Sequence, residues 1–318
     1  RDEPLLSYQL SRNIFITTPA RIRKAYLERF ASSVAKDALE LINSRFAGGS
    51  AEEHLVPWQK TALIAICAIV LGGTLFSLSS TLYVITSALA LIFFCVTMLR
   101  AGAGFWSIFK PDLKPALRVS IPKQTLPVYT ILVPLFREDK VLPDLVHALQ
   151  RLDYPIAKLD IKLILEEEDH ATRRIAESLR LSSAFDIVVV PKIGPQTKPK
   201  ALNFALQFAH GDYVVIYDAE DRPETDQLLK ALAVFESGPP DLVCVQARLS
   251  IYNTWQNWLT RQFTIEYAGL FDVLLPALEW LKAPIPLGGT SNHFKMGALL
   301  ALGAWDSFNV TEDADLGL

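Results

Sequence analysis

The chain has 318 residues, of which 51% are hydrophobic and 20% are charged, so it is too apolar for a disordered protein and too long for one small module. Its 31 basic and 34 acidic residues give a net charge of −3, which argues against nucleic acid as a partner. The three cysteines exclude a disulfide framework, and their spacing matches no metal-binding motif.

Residues 1–56 form a charge-mixed segment with a helical pattern over residues 19–46, followed by a Gly48-Gly49-Ser50 linker. Within it, residues 18–30 read TPARIRKAYLERF. This stretch resembles the end of the small regulatory domain at the front of type II secretion ATPases. The resemblance implies that residues 1–56 are a cytoplasmic helical remnant of such a domain, with the nucleotide-binding part missing upstream.

Residues 61–99 contain no Asp, Glu, Lys, Arg or His, and a helix needs about 20 apolar residues to cross a bilayer. Ser77, Ser79 and Ser80 offer a polar turn in the middle, so we predict a transmembrane helical hairpin over residues 57–100, with helices at 58–77 and 81–99. The alternative is a buried hairpin of a soluble protein, but uncharged stretches of this length are rare in soluble cores.

The flanks of this hairpin carry mostly positive charge. Lys60 lies near its start and Arg100 at its end, and residues 101–126, read as a cytoplasmic linker, contain several cations with Asp112 as the only acid. The positive-inside rule therefore places both flanks in the cytoplasm. We expect a multi-pass protein of the cell inner membrane, in contact with its lipids, whose catalytic domain is cytoplasmic.

From residue 127 to residue 318, short apolar runs alternate with helical patterns of about 10 to 15 residues. Runs rich in β-branched residues are typical of strands buried on both faces of a parallel sheet. The predicted strands are 128–133, 161–165, 187–190, 213–217 and 242–245. The pattern predicts an α/β domain with a mostly parallel sheet flanked by helices, which binds ligands beyond the carboxyl ends of its strands.

Acidic residues follow three of these strands, in the segments 134–139, 166–169 and 218–221. A single one might only cap the next helix, but three on one edge repel one another unless a cation or a ligand neutralises them. Asp218 and Glu220, one residue apart on a turn, suit one hard divalent cation such as Mg²⁺ or Mn²⁺. The pattern favours a metal and nucleotide site.

Five motifs in order resemble those of glycosyltransferase family 2, the inverting, nucleotide-sugar-dependent group that includes bacterial cellulose, hyaluronan and chitin synthases. The resemblance covers residues 127–318 and implies a nucleotide-sugar-binding, GT-A-like domain with hexosyltransferase activity. The motifs are ILVP at 131–134, KPKALN at 198–203, YDAEDRP at 217–223, GGTSNHF at 288–294 and TED at 311–313.

The resemblance also implies roles for single residues. Asp313 matches the catalytic base, and Asp218 with Glu220 matches the metal-binding acids. Glu166 and Glu167 occupy the place of a pair that contacts base and ribose, and Lys198 lies where a lysine is near the diphosphate. The residues predicted to bind substrate or nucleotide are Pro134, Arg137, Glu138, Glu166, Glu167, Lys198, Asn203, Asp218 and Glu312.

The implied donor is a nucleotide sugar, of which UDP-sugar is the expected one, and the acceptor is a growing glycan or a lipid-linked molecule. Glu replaces the family's Asp at 166, 167 and 220, and Glu168 replaces a glycine. The synthases continue with a Gln-x-x-Arg-Trp motif and further membrane helices, so we expect the chain to be truncated at Leu318. Two alternatives stay open, namely a transferase that adds one sugar to polyprenyl phosphate and a non-catalytic, nucleotide-sensing membrane subunit.

Apolar residues recur every three or four positions over residues 255–281, which predicts an amphipathic helix. It lies either on the inner membrane surface beside the acceptor site or in the core, and Pro276 and Pro284 are expected to break or end it. Asn292 and His293 are candidates for the acceptor pocket, although a structural hydrogen bond is the expected role for His293.

Overall fold

The computed structural model describes residues 19–46, 49–52, 54–109 and 125–317. Its centre is a six-stranded sheet with the order β3-β2-β1-β4-β6-β5, in which the first four strands are parallel and β6 is antiparallel to both neighbours. The strands are β1 (Tyr129–Leu135), β2 (Leu159–Glu166), β3 (Phe185–Val190), β4 (Tyr213–Ile216), β5 (Cys244–Gln246) and β6 (Asn292–Lys295). The mostly parallel α/β sheet predicted from the apolar runs is confirmed.

Strand β6 is the element that hydropathy did not reveal. Its four residues include Asn292 and His293, which lack the β-branched signature, yet His293 pairs with Val215 of β4 and Val245 of β5. Tertiary pairing therefore overrides local propensity here. The last three residues of the GGTSNHF motif belong to this strand, so the motif lies beside the end of β4.

Helices cover both faces of the sheet, so the core has two layers. Residues of β1 alternate between them, with Ile131 and Val133 packed in one cluster and Leu132 in the other. Leu145 and Phe204 belong to the helices that cover the two faces. The helices after the hairpin are α4 (Leu142–Gln150), α5 (His170–Ser178), α6 (Lys198–Leu206), α7 (Gln227–Ser237), α8 (Trp258–Ala268), α9 (Leu275–Trp280), α10 (Met296–Ala301) and α11 (Glu312–Leu316).

The N-terminal helix α1 (Pro19–Arg45) is part of this covering layer. Val34, Ala35 and Ala38 are buried in the same cluster as Leu132 and Trp305. The helical pattern predicted for residues 19–46 is therefore present, but α1 packs on the sheet domain instead of standing apart from it.

Two apolar helices follow, α2 (Pro57–Phe76) and α3 (Leu78–Phe109), joined at Ser77. Both are long and apolar enough to cross a membrane, and Leu75 and Phe76 are 81% and 94% exposed. The α3 helix continues ten residues past the predicted end at 99, through the uncharged stretch 101–109. The predicted linker 101–126 thus lies partly in this helix, and its residues 110–124 are outside the described ranges.

The predicted helix at 255–281 is divided into α8 and α9 by a π-helical segment, Gly269–Leu274. Asn257 caps α8 by accepting a hydrogen bond from the Thr260 amide at 3.0 Å. Pro276 does not break the helix, because it lies in the first turn of α9, where a missing amide proton costs least. None of the residues of α8 is buried.

The backbone at Gly211 lies close to the backbone of Thr130, near the start of β1. A Cβ atom there would lie 2.5 Å from the Thr130 amide nitrogen, whereas nothing lies within 4 Å of the position at Gly297 in α10. We predict that Gly211→Ala destabilises the protein by about 1–3 kcal/mol through overpacking. Gly297→Ala, the matched control, should be neutral or stabilise by up to about 1 kcal/mol. Thermal unfolding of both variants in detergent checks this, and equal midpoints would contradict it.

Candidate functional site

A cleft of about 380 Å³ lies at the carboxyl ends of the parallel strands. Side chains at the carboxyl ends of β1 and β2, after β4 and at the start of α6 line it, as the strand-end argument predicts. Six of the predicted site residues are among its lining residues, namely Pro134, Glu138, Glu166, Lys198, Asp218 and Glu220. The topology therefore brings Pro134 and Glu220, which are 86 positions apart in the sequence, to the same cleft.

Lys198 and Asp218 form an ion pair in this cleft. Lys198 is the first residue of α6, and its Nζ donates hydrogen bonds to Asp218 Oδ1 and to the Gly289 carbonyl, both at 2.8 Å. Burial raises the pKa of Asp218, Lys198 lowers it, and the negative charges of Glu220 and Asp313 raise it again. Asp218 is thus held between one cation and two further acids.

Asp313 reaches the same place from α11. A Cβ atom built on Gly289 would lie 3.2 Å from Asp313 Oδ2 and 3.8 Å from Asp218 Oδ2, so these two oxygens are no farther apart than the sum of these distances. A side chain at position 289 would occupy the gap between the acids. The two carboxylates on which the proposed chemistry depends are therefore neighbours, across a glycine that leaves room for a reactant.

Asp221 organises the turn after β4, although the motif had not singled it out. Its Oδ2 accepts hydrogen bonds from the Asp218 amide at 2.7 Å and from the Thr290 hydroxyl. Burial raises the pKa of Asp221 to about 6 despite these bonds. The carboxylate fixes the backbone that presents Asp218, so the last acid of the DAED stretch positions the first.

The donor set fits a hard divalent cation. Asp218 and Glu220 supply carboxylate oxygens to one cleft, and the pKa of Glu138 is raised by burial and by the charge of Glu220. Such a concentration of negative charge is relieved by a cation. In the described part of the chain, no group of three or more His, Cys, Asp or Glu residues is placed to hold a metal ion, so these carboxylates alone do not form a complete metal site.

Glu166, the last residue of β2, and Glu167, directly after it, have different surroundings. Glu166 is buried in the cleft wall 3.5 Å from Lys200 Nζ, and burial raises its pKa while Lys200 lowers it. Glu167 is exposed and accepts a hydrogen bond from the Lys192 amide at 3.1 Å. The structure therefore brings Glu166 to the cleft and leaves Glu167 outside its lining.

Arg137 shapes the rim beyond β1 by its backbone. Its φ of +61° is a left-handed conformation that is strained for a side chain of this size, and Asp169 accepts a hydrogen bond from its amide. Burial acts to raise the pKa of Asp169, but the bonds from Arg137 and Thr172 lower it overall. The Arg137 guanidinium lies over the Phe136 ring instead of lining the cleft.

The structure does not bring Asn203, predicted to bind nucleotide, to the cleft lining. The side chain is fully buried on the far side of α6, where Nδ2 donates to the carbonyls of Ala38 and Trp305 and Oδ1 accepts from the Trp305 amide. A further acceptor of Nδ2 is the Ser307 hydroxyl at 3.2 Å. For Glu312, the helix α11 is described but its side chain lies outside the described atoms, so its role stays a prediction.

His293 takes the structural role. Its Nδ1 is 2.8 Å from the Tyr129 hydroxyl, the ring is fully buried, and Nε2 has no hydrogen-bond partner among the described residues. Burial lowers the pKa of His293 from 6.5 to about 3. The neighbouring Asn292 donates to the Gly288 carbonyl and so supports the glycine turn beside the acids.

The chain matches the glycosyl transferase family 2 profile over residues 130–297, which is more than half of its length. It belongs to glycosyltransferase family 2. The β-monoglucosyldiacylglycerol synthase of Trichormus variabilis is 26% identical over 60% of this chain and 41% of the relative. The probable glucomannan 4-β-mannosyltransferase 1 of Arabidopsis thaliana is 25% identical over 63% of this chain and 37% of the relative. The chain therefore spans less than half the length of each.

A solved structure with a similar fold is the Pyrobaculum calidifontis mannosyltransferase PcManGT in complex with GDP-Man and Mn²⁺. It is 23% identical, the match covers 70% of this chain and 60% of that one, and the TM-score is 0.48. The family membership thus rests on the sequence profile, and the geometry of the acids comes from this chain itself.

The buried His293 makes stability depend on pH. Its pKa is lower in the folded than in the unfolded state, so below about pH 6.5 the unfolded chain takes up a proton that the folded chain refuses until about pH 3. Stability should therefore fall as pH drops from 7.5 to 5. In His293→Gln, which keeps a partner for Tyr129, the fall should be smaller. Thermal midpoints of both proteins at the two pH values test this, and parallel pH profiles would contradict it.

Proposed function

We propose that the protein is a membrane-bound, inverting glycosyltransferase that moves a sugar from a nucleotide-sugar donor to a growing polysaccharide, with Asp313 as general base. The observation that carries the proposal is the approach of Asp313 and Asp218 to the same point at Gly289, on the rim of the strand-end cleft. UDP-sugar is the expected donor. One carboxylate near the leaving diphosphate and another near the acceptor is the arrangement that a single displacement needs.

The donor lies in the cleft with its diphosphate toward Lys198 and Asp218 and its nucleoside toward Glu166. Lys198 Nζ, already fixed by Asp218 and the Gly289 carbonyl, places a positive charge where the diphosphate gains negative charge. A divalent cation, Mg²⁺ or Mn²⁺, held by Asp218 and Glu220 supplies further neutralisation of the leaving group when bound. The carboxylate oxygens of these two residues and the crowding of acids around them support that assignment.

On the other side of Gly289, Asp313 accepts the proton of an acceptor hydroxyl. The oxygen forms a bond to the anomeric carbon as the bond from that carbon to the diphosphate oxygen breaks, and the electron pair leaves with the nucleoside diphosphate. Attack from the face opposite the leaving group inverts the anomeric centre, so an α-linked donor yields a β-linked product. Asp313 approaches from α11, whereas the donor residues lie at the end of β2, after β4 and at the start of α6.

A lipid acceptor is the second candidate. It is favoured by the exposed aromatic residues of the α8–α9 region, since Trp255, Trp258 and Trp280 are all more than half exposed. The Trp280 ring also contacts that of Trp106 in α3, with the ring centroids 5.7 Å apart and the planes tilted. One relative is named as a glycolipid synthase and another as a glucomannan synthase, so both acceptor classes occur among similar proteins. Product analysis with a glycan primer and with a polyprenyl phosphate distinguishes them.

The catalytic assignment predicts the effect of single-atom changes. Asp313→Asn and Asp218→Asn should each lower metal-dependent release of nucleoside diphosphate from the full-length protein in membranes by roughly 100-fold or more. Asp315→Asn, on the exposed side of the same helix α11, is the matched control and should retain wild-type rates. Turnover is measured with Mn²⁺ or Mg²⁺ and after chelation. An Asp313→Asn protein with normal turnover would refute the role of the base.

We place α2 and α3 across the cell inner membrane, with both flanks and the catalytic domain in the cytoplasm. Their length, apolar composition and exposure support this, together with the cations beside the hairpin. The aromatic side chains of α8 and α9 would then rest on the inner membrane surface.

This orientation predicts opposite labelling of two exposed serines. In a variant whose three cysteines are replaced, Ser178→Cys in α5 should react with a membrane-impermeant maleimide only in inverted vesicles. Ser79→Cys, at the turn between α2 and α3, is the matched control and should react only in right-side-out vesicles. Labelling of both cysteines from the same side would contradict two crossings.

A further inference from the structure

The backbone carbonyl of Ala38, in the middle of α1, accepts two side-chain hydrogen bonds from the glycosyltransferase domain. Asn203 Nδ2 donates to it at 3.3 Å and Ser307 Oγ at 3.1 Å. All three residues are fully buried. Loss of a partner would strand polar atoms away from water, so this contact fixes α1 against α6 and against the segment around Ser307.

Asn203 and Thr197 extend this contact toward the catalytic cleft. Asn203 pairs with both backbone groups of Trp305, donating to the carbonyl at 2.6 Å and accepting from the amide at 3.2 Å. Thr197, which caps α6 directly before Lys198, donates from Oγ1 to the Ser307 carbonyl at 2.6 Å. The start of α6 and the segment after Trp305 are thus joined at the site where α1 docks.

A chain of hydrogen-bonded turns leads from this segment to Asp313. The Asn309 amide donates to the Asp306 carbonyl at 3.1 Å, and the Thr311 amide donates to Asn309 Oδ1 at 3.0 Å. The Asp315 amide then donates to the Thr311 carbonyl at 3.0 Å, in the first turn of α11. The placement of the general base therefore depends on where residues 305–307 are held.

The end of α1 holds the same segment from a second direction. Gly303 has a φ of +83°, and a Cβ atom there would lie 3.1 Å from Ile42 Cα, so only glycine permits this approach. After α1, Ser50 Oγ donates to Asp306 Oδ1 at 2.9 Å. The segment 303–307 is thus enclosed by residues that precede the hairpin.

We propose that α1 is a positioning element for the transferase, and that Asn203 and Ser307 are positioning residues that connect it to Asp313. Displacement of α1 shifts Asp313 and slows transfer. Donor binding changes less than turnover, because Lys198, although it begins the helix that α1 contacts, also pairs with Asp218 and the Gly289 carbonyl. The inference rests on the proposed role of Asp313 as base. It gives the N-terminal segment a direct route by which a change in its own position alters turnover.

The test compares two leucine substitutions in α1 of the full-length protein in nanodiscs. Ala38→Leu adds bulk at the fully buried contact, whereas Ser33→Leu, its matched control, adds the same side chain on the exposed face. We expect Ala38→Leu to lower kcat by roughly 10-fold or more, because small misplacements of a catalytic group are costly, with the donor KM within about twofold of wild type. Ser33→Leu should match wild type in both constants.

Hydrogen exchange gives a readout that does not need activity. In Ala38→Leu, deuterium uptake should rise in residues 305–313 and stay unchanged in β1 and β2, where the parallel core is intact. Ser307→Ala removes one donor without adding bulk, and should lower kcat several-fold with the same unchanged KM. This variant keeps the test decisive if Ala38→Leu does not fold.

Wild-type kcat in both Ala38→Leu and Ser307→Ala would overturn the inference, as would increased exchange spread over the whole sheet, which indicates a merely structural role. An inactive wild-type protein would instead count against the proposed function. In that event, exchange confined to residues 305–313 would still support the positional link from α1.

Discussion

Repulsion among carboxylates at one edge of the sheet is the constraint on which the site depends. Two acids, Glu220 and Asp313, lie near Asp218 and raise its pKa. Glu220 also raises the pKa of Glu138. Such an arrangement is unfavourable for folding and persists because other contacts hold it in place. Lys198 pairs with Asp218, and the turn carrying Asp218 is fixed by Asp221. In the proposed mechanism a divalent cation would neutralise these acids, so the repulsion that is unfavourable in the free protein would favour cation binding.

The topology explains how the acids meet. Parallel strands β2, β1 and β4 end on one edge, and the antiparallel strand β6 brings Gly289 to the end of β4. A side chain at Gly289 would crowd Asp313, because its Cβ atom would lie 3.2 Å from Asp313 Oδ2. In the proposed mechanism, Lys198 and Asp218 form the donor side of this edge, Asp313 forms the acceptor side, and the reacting centre lies between the two. Transfer with inversion needs this separation, since nucleophile and leaving group occupy opposite faces of the sugar.

Hydropathy predicted the parallel strands because each is a nearly continuous buried run, and strand ends predicted the cleft because sheet geometry allows no other edge. These sequence patterns did not predict the orientation of individual side chains. Asn203 follows Lys198 by five residues, which on a helix turns it about 140° away, toward α1 and not toward the cleft. The sequence motif alone does not show that the side chains of Lys198 and Asn203 point in different directions. For the same reason, the roles of Asp221 and Asp169, which accept hydrogen bonds from backbone amides, were not predicted. Strand β6 was also not predicted, because its polar residues form a strand only through pairing with the neighbouring strands.

Helix α1 precedes the hairpin, yet its residues Val34 and Ala38 complete the core of a domain that follows it. Without α1, the apolar surface that it covers on α6 and near Trp305 would be exposed to water, at a cost of about 25 cal/mol for each Å² of apolar surface. This packing also constrains the path of the chain through a bilayer. A single crossing between α1 and β1 would put them on opposite sides, whereas two crossings return the chain to the side where α1 is needed. The contacts of α1 therefore require that α2 and α3 cross together or not at all, independently of the charges that flank them.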